Sequence, residues 1–349
     1  MARSVRGDAS GRVGPQSAVS LGVGDPMPRI TLPLASGGLF DSWDPATAGQ
    51  ARAYWLGAPP AAVVTRLGET LESFEALLHV VAAAPPAVPC GGPSWVLDRA
   101  GELGRAFGAT GPLALIVDAA GRVAALLAEP TPEGVAALAR QLYVASTPAV
   151  VQAKAPVLLL ERVVEPALCQ TLIEHWQHGA KLVNEVDSEA GNASNAEVKR
   201  RTDVQLDDGK QLDDRKLFVQ LRDCLVRRVA PAILQAFHIR TTVIEAPRIG
   251  CYDADSGGWF RRHRDNTTSH TAHRQFAVSL NLNAGDEYDG GEVRFAEFGR
   301  ELYRPVAGGA LVFSSSLLHE VIPVTRGRRF GVFTFLSASG PTAGRSALR

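Results

Sequence analysis

Cysteine is scarce in this sequence, and its spacing excludes two common uses of the residue. The four cysteines, Cys90, Cys169, Cys224 and Cys251, form no CxxC pair and no closely spaced group. We therefore predict neither a disulfide framework nor a zinc finger, and the pattern favours a reducing compartment.

Long apolar runs and net charge are also missing. No 18 consecutive apolar residues occur, and the first 20 residues lack the apolar core of a signal peptide. Thirty-six basic residues balance 36 acidic ones, which removes the usual electrostatic reason for bulk binding to nucleic acid or to a membrane surface. We predict a cytoplasmic protein without nucleic-acid or membrane partners.

The sequence has enough apolar residues for two globular domains. Its 349 residues are 46% hydrophobic and 21% charged, which is ordinary for soluble proteins with domains of about 100–200 residues. Residues 1–21 are rich in Gly, Ser and Arg without periodicity and are predicted to form a disordered tail. We place a first domain at 22–147, a Pro-bracketed linker at 148–156 and a second domain at 157–338.

Along the second domain, the sequence pattern changes from one typical of helices to one typical of strands. Two amphipathic segments, starting at Pro166 and at Asp213, are predicted helices, the second broken before Pro231. From Thr241 onward the sequence consists of short alternating runs, each bounded by Gly, Pro, Asp or Asn. These runs predict an antiparallel double sheet rather than β–α–β units, and hence an α+β fold with helices that back the sheet.

Three residues in this region have the pattern of a metal site. His263 and Asp265 stand two apart in RRHRDN, so both face the same side if that segment ends a strand. His319, in HEVIPV, follows several strand-like runs and can return from a neighbouring strand. Two imidazoles and one carboxylate on one side of a metal suit non-haem Fe(II), because the opposite positions stay open for O₂ and an organic ligand.

Basic residues near these ligands suggest how carboxylates are recognised. Arg329 lies one strand beyond His319 and offers a planar fork for a carboxylate, with its neighbour Arg328 as the competitor. Arg261 shares a predicted strand face with His263 and is expected to point into the pocket, where it would favour an anionic group. The basic cluster that begins at Lys199, in KRRTDVQL, is instead interpreted as solvated surface beside an edge strand.

The ordered set His-x-Asp, distant His and Arg resembles the Fe(II)/2-oxoglutarate-dependent dioxygenases, in particular the prolyl 4-hydroxylase-like branch. The resemblance extends to Tyr252 on an upstream strand and to the Gly-Gly turn in VSLNLNAGDEYDGGEVRF, and it covers about Pro156 to Leu336. It implies a double-stranded β-helix (jelly roll) whose His263, Asp265 and His319 hold Fe(II).

The same resemblance implies the partners of the reaction. O₂ and 2-oxoglutarate would be co-substrates, the far carboxylate of 2-oxoglutarate would bind Arg329 with help from the Tyr252 hydroxyl, and L-ascorbate is a further cofactor that it allows. The expected reaction is hydroxylation of an unactivated C–H of a peptide or small molecule, such as a peptidyl proline, with succinate and CO₂ as co-products.

The first domain resembles peroxiredoxin-type thioredoxin folds, in GDPMPRITLPL from Gly24 and GPLALIVDAAGRVAALLA from Gly111. Peroxiredoxins need a thiolate just after the first buried strand, yet no Cys occurs from Ala53 to Val64. Cys90 lies farther along in a Pro/Gly-rich loop. We therefore predict an α/β domain that lacks the peroxidatic Cys and serves packing, homodimerisation or substrate presentation.

Two alternatives to the oxygenase stay open on the sequence. One is a catalytically inactive two-domain binding or scaffold protein, against which the intact ligand set and Arg329 argue. The other is a cupin-type metal dioxygenase that does not use 2-oxoglutarate, and this alternative leaves Arg329 without a role.

Overall fold

The computed structural model describes residues 20–86, 92–143, 150–151, 153–188, 191–206 and 212–338. Residues 1–19 of the predicted tail lie outside the described residues, and so do residues 148, 149 and 152 of the predicted linker and Cys90. The chain divides into two compact units between Val144 and Ala145. Across the described residues, no helix has both the length and the apolar character needed to cross a membrane.

The first unit is a mixed sheet with helices. Strands β3, β4 and β5 run parallel, β6 pairs antiparallel with β3, and β7 pairs antiparallel with β6, so the sheet order is β5-β4-β3-β6-β7. The elements are β1 (Thr31–Pro33), β2 (Leu39–Asp41), β3 (Arg52–Leu56), α1 (Ala61–Glu72), β4 (Leu77–Ala82), β5 (Ser94–Leu97), α2 (Glu102–Ala106), β6 (Leu113–Val117), β7 (Val123–Ala128) and α3 (Pro132–Gln141), with a 3₁₀ turn at Pro45–Thr47.

Each face of this sheet has its own apolar layer, because successive residues of a strand point to opposite sides. On β6, Ala114 and Ile116 join the layer under α1 and α3, whereas Leu113, Leu115 and Val117 join the opposite layer with Met27 and Leu103. Burial on both faces explains why the central strands are continuously apolar.

The second unit contains helices followed by two antiparallel sheets. The larger sheet has the order β8-β21-β17-β23-β15-β13-β9, with β14 and β18 also paired to β23, and the smaller has the order β12-β16-β22-β19-β20. The elements are β8 (Val157–Leu160), α4 (Pro166–His178), β9 (Leu182–Val183), β10 (Glu185–Ser188), β11 (Gly191–Ser194), β12 (Lys199–Arg200), β13 (Thr202–Gln205), α5 (Leu212–Cys224), a π-helical segment (Leu225–Val229), α6 (Ala230–Phe237), β14 (Val243–Ile244), β15 (Arg248–Asp253), a 3₁₀ turn (Ala254–Ser256), β16 (Trp259–His263), β17 (Phe276–Asn281), β18 (Tyr288–Gly290), β19 (Val293–Arg294), β20 (Leu302–Tyr303), β21 (Ala310–Ser314), β22 (His319–Val321) and β23 (Val324–Ser337).

Alternation on the central strand β17 separates two cores. Phe276, Val278 and Leu280 pack toward the helices in one apolar cluster, while Ala277 belongs to a second cluster that includes residues of both sheets. The α+β character and the antiparallel strands expected for this half of the chain are confirmed.

The predicted break before Pro231 is a π-helical segment rather than a simple kink. Pro231 lacks an N–H and its ring crowds the carbonyl of Arg227, four residues earlier. The helix widens over Leu225–Val229 around that carbonyl and then resumes as α6.

Candidate metal centre

Two histidines face each other across neighbouring strands of the smaller sheet. His263 ends β16 and His319 begins β22, and the two are direct partners in the antiparallel register. Their ring centroids lie 4.2 Å apart. The strand pairing therefore brings together imidazoles that are far apart in the sequence.

Asp265 completes the group from just beyond the end of β16. Its backbone N–H donates to the Ser315 carbonyl at 2.9 Å, which ties it to the turn before β22. Its Oδ1 lies 3.4 Å from His263 Nε2 and its Oδ2 lies 3.6 Å from His319 Nε2. One ligand atom from each of the three residues lies within 4.8 Å of the others, so the structure brings together the three predicted ligands.

Hydrogen bonds orient both rings toward this centre. His263 Nδ1 lies 2.7 Å from the Arg261 carbonyl and His319 Nδ1 lies 3.0 Å from the Leu317 carbonyl. A carbonyl only accepts, so each Nδ1 carries a proton, and in the neutral ring the Nε2 that faces Asp265 is then the nitrogen with a free lone pair. This is the tautomer that ligates a metal, with the backbone as the outer support of each ligand.

The charge states of the group also fit a cation. Burial lowers the pKa of His319 to about 4, so the ring is neutral near pH 7. Burial opposes ionisation of Asp265, but His319 and His263 outweigh it and hold its pKa below the ordinary value. No hydrogen-bond donor among the described residues reaches the buried Asp265 Oδ2, and a bound cation would satisfy that oxygen.

Arg328 and Arg329 alternate across β23 and point to opposite sides. The Arg328 side chain is 55% exposed and its Nε donates to Asp253 Oδ2 at 2.6 Å. Arg329 is 2% exposed, and its Nη1 and Nη2 donate to the Gly291 carbonyl at 2.6 Å and to Ser279 Oγ at 3.0 Å. Only Arg329 of this pair is on the inner side of the sheet.

Tyr252 lies beside Arg329, its register partner on β15. The Tyr252 side chain is fully buried, and the Arg329 guanidinium carbon lies 5.6 Å from its ring centroid. Its hydroxyl oxygen accepts a hydrogen bond from Arg201 Nη1 at 3.2 Å. The hydroxyl proton therefore points away from Arg201 and can be donated elsewhere.

A cavity of about 670 Å³ lies beside the three predicted ligands and Tyr252. Its wall includes the three predicted ligands, Tyr252 and Ser279, the partner of Arg329. Cavities of this size hold ligands as large as drug molecules.

The second unit of this chain is similar in sequence to proteins of known family. A family model described as the 2OG-Fe(II) oxygenase superfamily matches residues 248–337. A PKHD-type hydroxylase from Acidovorax ebreus is 32% identical over 172 residues, which are 47% of this chain and 67% of the relative. The chain belongs to the 2OG-Fe(II) oxygenase superfamily.

Other similar proteins match over smaller shares of their length or at lower identity. A PKHD-type hydroxylase from Teredinibacter turnerae is 31% identical over 144 residues, which are 39% of this chain. The chain spans about three fifths of such curated relatives, 62% in this case. A crystal structure of a Pseudomonas putida prolyl-4-hydroxylase has 20% identity and a TM-score of 0.41, covering 53% of this chain and 94% of that chain.

Membership in the superfamily implies Fe(II) and 2-oxoglutarate, and the residues of this oxygenase fit both. Two imidazoles and a carboxylate together form a donor set that suits Fe(II). Arg329 is a buried guanidinium of the planar kind that pairs with carboxylates.

The expectation for Arg261 is wrong. Its side chain is exposed and lies over the Trp259 ring at 5.2 Å, outside the cavity wall. The strand register shifts between Phe260 and His263, so the simple rule that residues two apart share a face fails here.

The interpretation of the basic cluster as solvated surface is wrong for two of its members. Lys199 and Arg201 are 2% and 7% exposed, and both line the oxygenase cavity. Asp203 is buried with them. A signal existed in the sequence, because Lys199, Arg201 and Asp203 are spaced two apart, as on one face of a strand.

Proposed function

We propose that this oxygenase hydroxylates an unactivated C–H of an organic substrate, with O₂ and 2-oxoglutarate consumed and succinate and CO₂ released. The observation that carries the proposal is the Asp265 carboxylate, whose buried Oδ2 has no hydrogen-bond donor in the described part of the chain and lies beside two imidazoles with a proton on Nδ1. Fe(II) would supply the O₂ chemistry there.

The chain's own residues would hold and orient the reactants. His263, Asp265 and His319 present their ligand atoms from one side, which leaves the cavity side open. Arg329, fixed by Gly291 and Ser279, would pair with the far carboxylate of 2-oxoglutarate. Tyr252 would donate its hydroxyl proton to that carboxylate, because its oxygen already accepts from Arg201.

The first experiment is an anaerobic titration with Fe(II) and 2-oxoglutarate, followed through the visible iron-to-oxo-acid charge-transfer band. We expect the band in the wild type, its loss in His263→Ala, and a 2-oxoglutarate Kd weakened about tenfold or more in Arg329→Ala, since a charge-assisted bidentate pair is lost. Arg328→Ala is the matched control and should leave the Kd within about twofold, because its side chain faces solvent.

Absence of the band in folded wild-type protein would contradict the proposal and favour a two-domain binding protein. A band with equal loss of affinity in both arginine variants would contradict the assignment of Arg329. Fe(II) binding by the folded protein without this band would instead favour a cupin-type enzyme.

We propose that the substrate is a peptidyl residue such as proline, on the resemblance to prolyl 4-hydroxylase-like enzymes. The curated relatives bear the name PKHD-type hydroxylase. We also propose that L-ascorbate is an accessory reductant, that the chain forms a homodimer and that it is located in the cytoplasm. These three proposals rest on the resemblance and the composition alone.

We also propose that the second unit is a jelly roll and the first a thioredoxin-like domain. Two antiparallel sheets with an apolar cluster shared between them support the first assignment. A parallel β3–α1–β4 unit joined to the antiparallel pair β6–β7 supports the second.

A further inference from the structure

One wall of the cavity contains a buried cluster with more positive than negative charge. Lys199, Arg201 and Asp203 are all under 10% exposed. Asp203 accepts from Arg201 Nε at 2.5 Å and Nη2 at 2.9 Å, and from Lys199 Nζ at 3.3 Å. One carboxylate serves two cations, so the cluster has one net positive charge when Lys199 is protonated.

Lys199 has hydrogen-bonding capacity that the protein does not use. An ammonium group has three N–H donors, and among the described residues Asp203 supplies its one oxygen acceptor. Arg201 is more fully engaged, because it also donates to Tyr252. Burial, reinforced by the charge of Arg201, lowers the pKa of Lys199 to about 7, as expected where a buried cation lacks a full counter-charge.

The ammonium group lies close to the metal ligands. Lys199 pairs with Phe260 across β12 and β16, and its Nζ lies 5.5 Å from the Phe260 ring centroid. Phe260 in turn stacks on His263 with centroids 3.6 Å apart. A single aromatic ring therefore separates Lys199 from the predicted metal centre.

This cluster adjoins Arg329, because Arg201 and Arg329 both lie over the Tyr252 ring, but the two positions have different hydrogen-bond partners. Arg329 bonds Gly291 and Ser279, whereas Lys199 and Arg201 bond Asp203. A cavity of about 670 Å³ also leaves space beyond a small diacid. The net charge of one matches a carboxylate better than a phosphate dianion.

We propose that Lys199 binds a carboxylate of the substrate that is hydroxylated, and that Asp203 holds Lys199 in position beside Arg201. The oxygenase therefore selects acidic substrates. The inference rests on the proposed function, in which Arg329 takes the co-substrate. An acidic side chain near the hydroxylated residue of a peptide would supply this carboxylate and satisfy the unused N–H groups of Lys199.

The test is calorimetric titration of the anaerobic full chain loaded with Fe(II) and 2-oxoglutarate. The probes are acetylated peptide amides in which a glutamate stands one to three residues before or after a proline, each paired with its glutamine counterpart. We expect at least one glutamate peptide to bind about tenfold or more tightly than its counterpart, the value of a charge-assisted hydrogen bond. Lys199→Met should abolish that preference, Lys199→Arg should retain part of it, and the exposed control Lys216→Met should change nothing.

The charge-transfer band serves as the second readout and shows that each variant is folded. The 2-oxoglutarate Kd should stay within about twofold in Lys199→Met but weaken in Arg329→Met. Lack of a glutamate preference in the wild type overturns the inference, and so does a loss of 2-oxoglutarate affinity in Lys199→Met that equals the loss in Arg329→Met. Failure of the proposed function has a different signature, because then the wild type forms no band at all.

Discussion

At the scale of single residues, buried polar side chains in this protein are arranged in two ways. Asp265 and the histidines beside it point unused lone pairs at one centre, which indicates a ligand. His79 in the first unit packs against the Phe40 and Tyr54 rings, each with its centroid 5.0 Å away, and its two ring nitrogens have no hydrogen-bond partner among the residues that the structure describes. The His79 nitrogens are buried but do not converge with other ligand atoms on one point. We therefore expect His79 to affect the stability of the fold rather than to bind a ligand.

We predict that His79 makes the first unit sensitive to acid. Burial, and secondly the charge of Arg52, lower its pKa from 6.5 to about 4. Between these values the unfolded chain binds a proton that the folded chain does not, so stability is lost as the pH falls from about 6.5 toward 4 and is unaffected above 6.5. The contribution at pH 5 is on the order of 2 kcal/mol.

Urea unfolding at pH 7 and at pH 5 measures this effect. The loss of unfolding free energy between the two pH values should be smaller by that amount in His79→Leu, whereas the exposed control His178→Gln should behave as the wild type. Equal pH dependence in His79→Leu and in the wild type would contradict the prediction.

The metal centre supports a second prediction at this scale. A divalent cation that binds only the folded chain raises the free energy of unfolding by about 2.7 kcal/mol at 100 times its Kd. We expect Mn(II), used anaerobically in place of Fe(II), to stabilise the wild type by that amount and EDTA to reverse the effect. Asp265→Ala should show no such shift, since the carboxylate with the unpartnered oxygen is gone. An undiminished shift in this variant would place the cation elsewhere.

At the scale of elements, the turn after β18 holds the buried arginine in place. The Gly291 carbonyl accepts from Arg329 Nη1. Its φ is +74°, and a Cβ there would lie 2.9 Å from Val324 Cγ2 and 3.0 Å from Arg329 Cδ. This position therefore requires glycine both for its backbone conformation and for the close approach of Arg329.

We predict that Gly291→Ala destabilises the protein by about 1–2 kcal/mol, the cost of a left-handed residue with a Cβ, and weakens 2-oxoglutarate binding because Arg329 shifts. Gly285→Ala is the control, since its Cβ would make only an ordinary contact of 3.4 Å with Arg304 Nη1. Denaturant unfolding and the charge-transfer titration measure the two effects. If 2-oxoglutarate affinity survives in a destabilised Gly291→Ala, the turn does not position Arg329.

At the scale of the whole molecule, the chain consists of two units that each have their own apolar clusters. The first contains the two layers around its mixed sheet, and the second contains the helix-side and inter-sheet clusters. Every residue assigned to the metal, to 2-oxoglutarate or to the substrate carboxylate belongs to the second unit.

We therefore predict that residues 145–349, expressed alone, fold and form the Fe(II)/2-oxoglutarate band with a Kd within about twofold of the full chain, since no site residue is removed. Circular dichroism and the anaerobic titration test this. A folded fragment without the band would mean that the first unit contributes to the site. The first unit alone should not turn over peroxide, because no Cys occurs from Ala53 to Val64, where a peroxiredoxin needs its thiolate.

Much of the site could be predicted from the sequence, since it depends on residue identity and short spacing. His263 and Asp265 are two apart, and alternation on β23 separates Arg328 from Arg329, whose different surroundings the structure shows. Arg261 failed the same rule, because a register shift between Phe260 and His263 interrupts the alternation. A bulge of this kind depends on how the partner strand fits and has no clear mark in the sequence.

The sequence by itself determined the chemistry available to this protein: imidazoles, a carboxylate and an arginine in a fixed order, on strands whose apolar alternation demands antiparallel sheets. Only the tertiary structure decided which charges face the cavity. In the sequence, Lys199 and Arg201 have the pattern of solvated surface residues. In the structure, β12 pairs with β16, so that Lys199 lies beside Phe260, and both cations bond Asp203. The physical reason is that burial of a charge depends on partners from distant strands, and those pairings are set by the packing of the whole unit rather than by neighbours in the sequence.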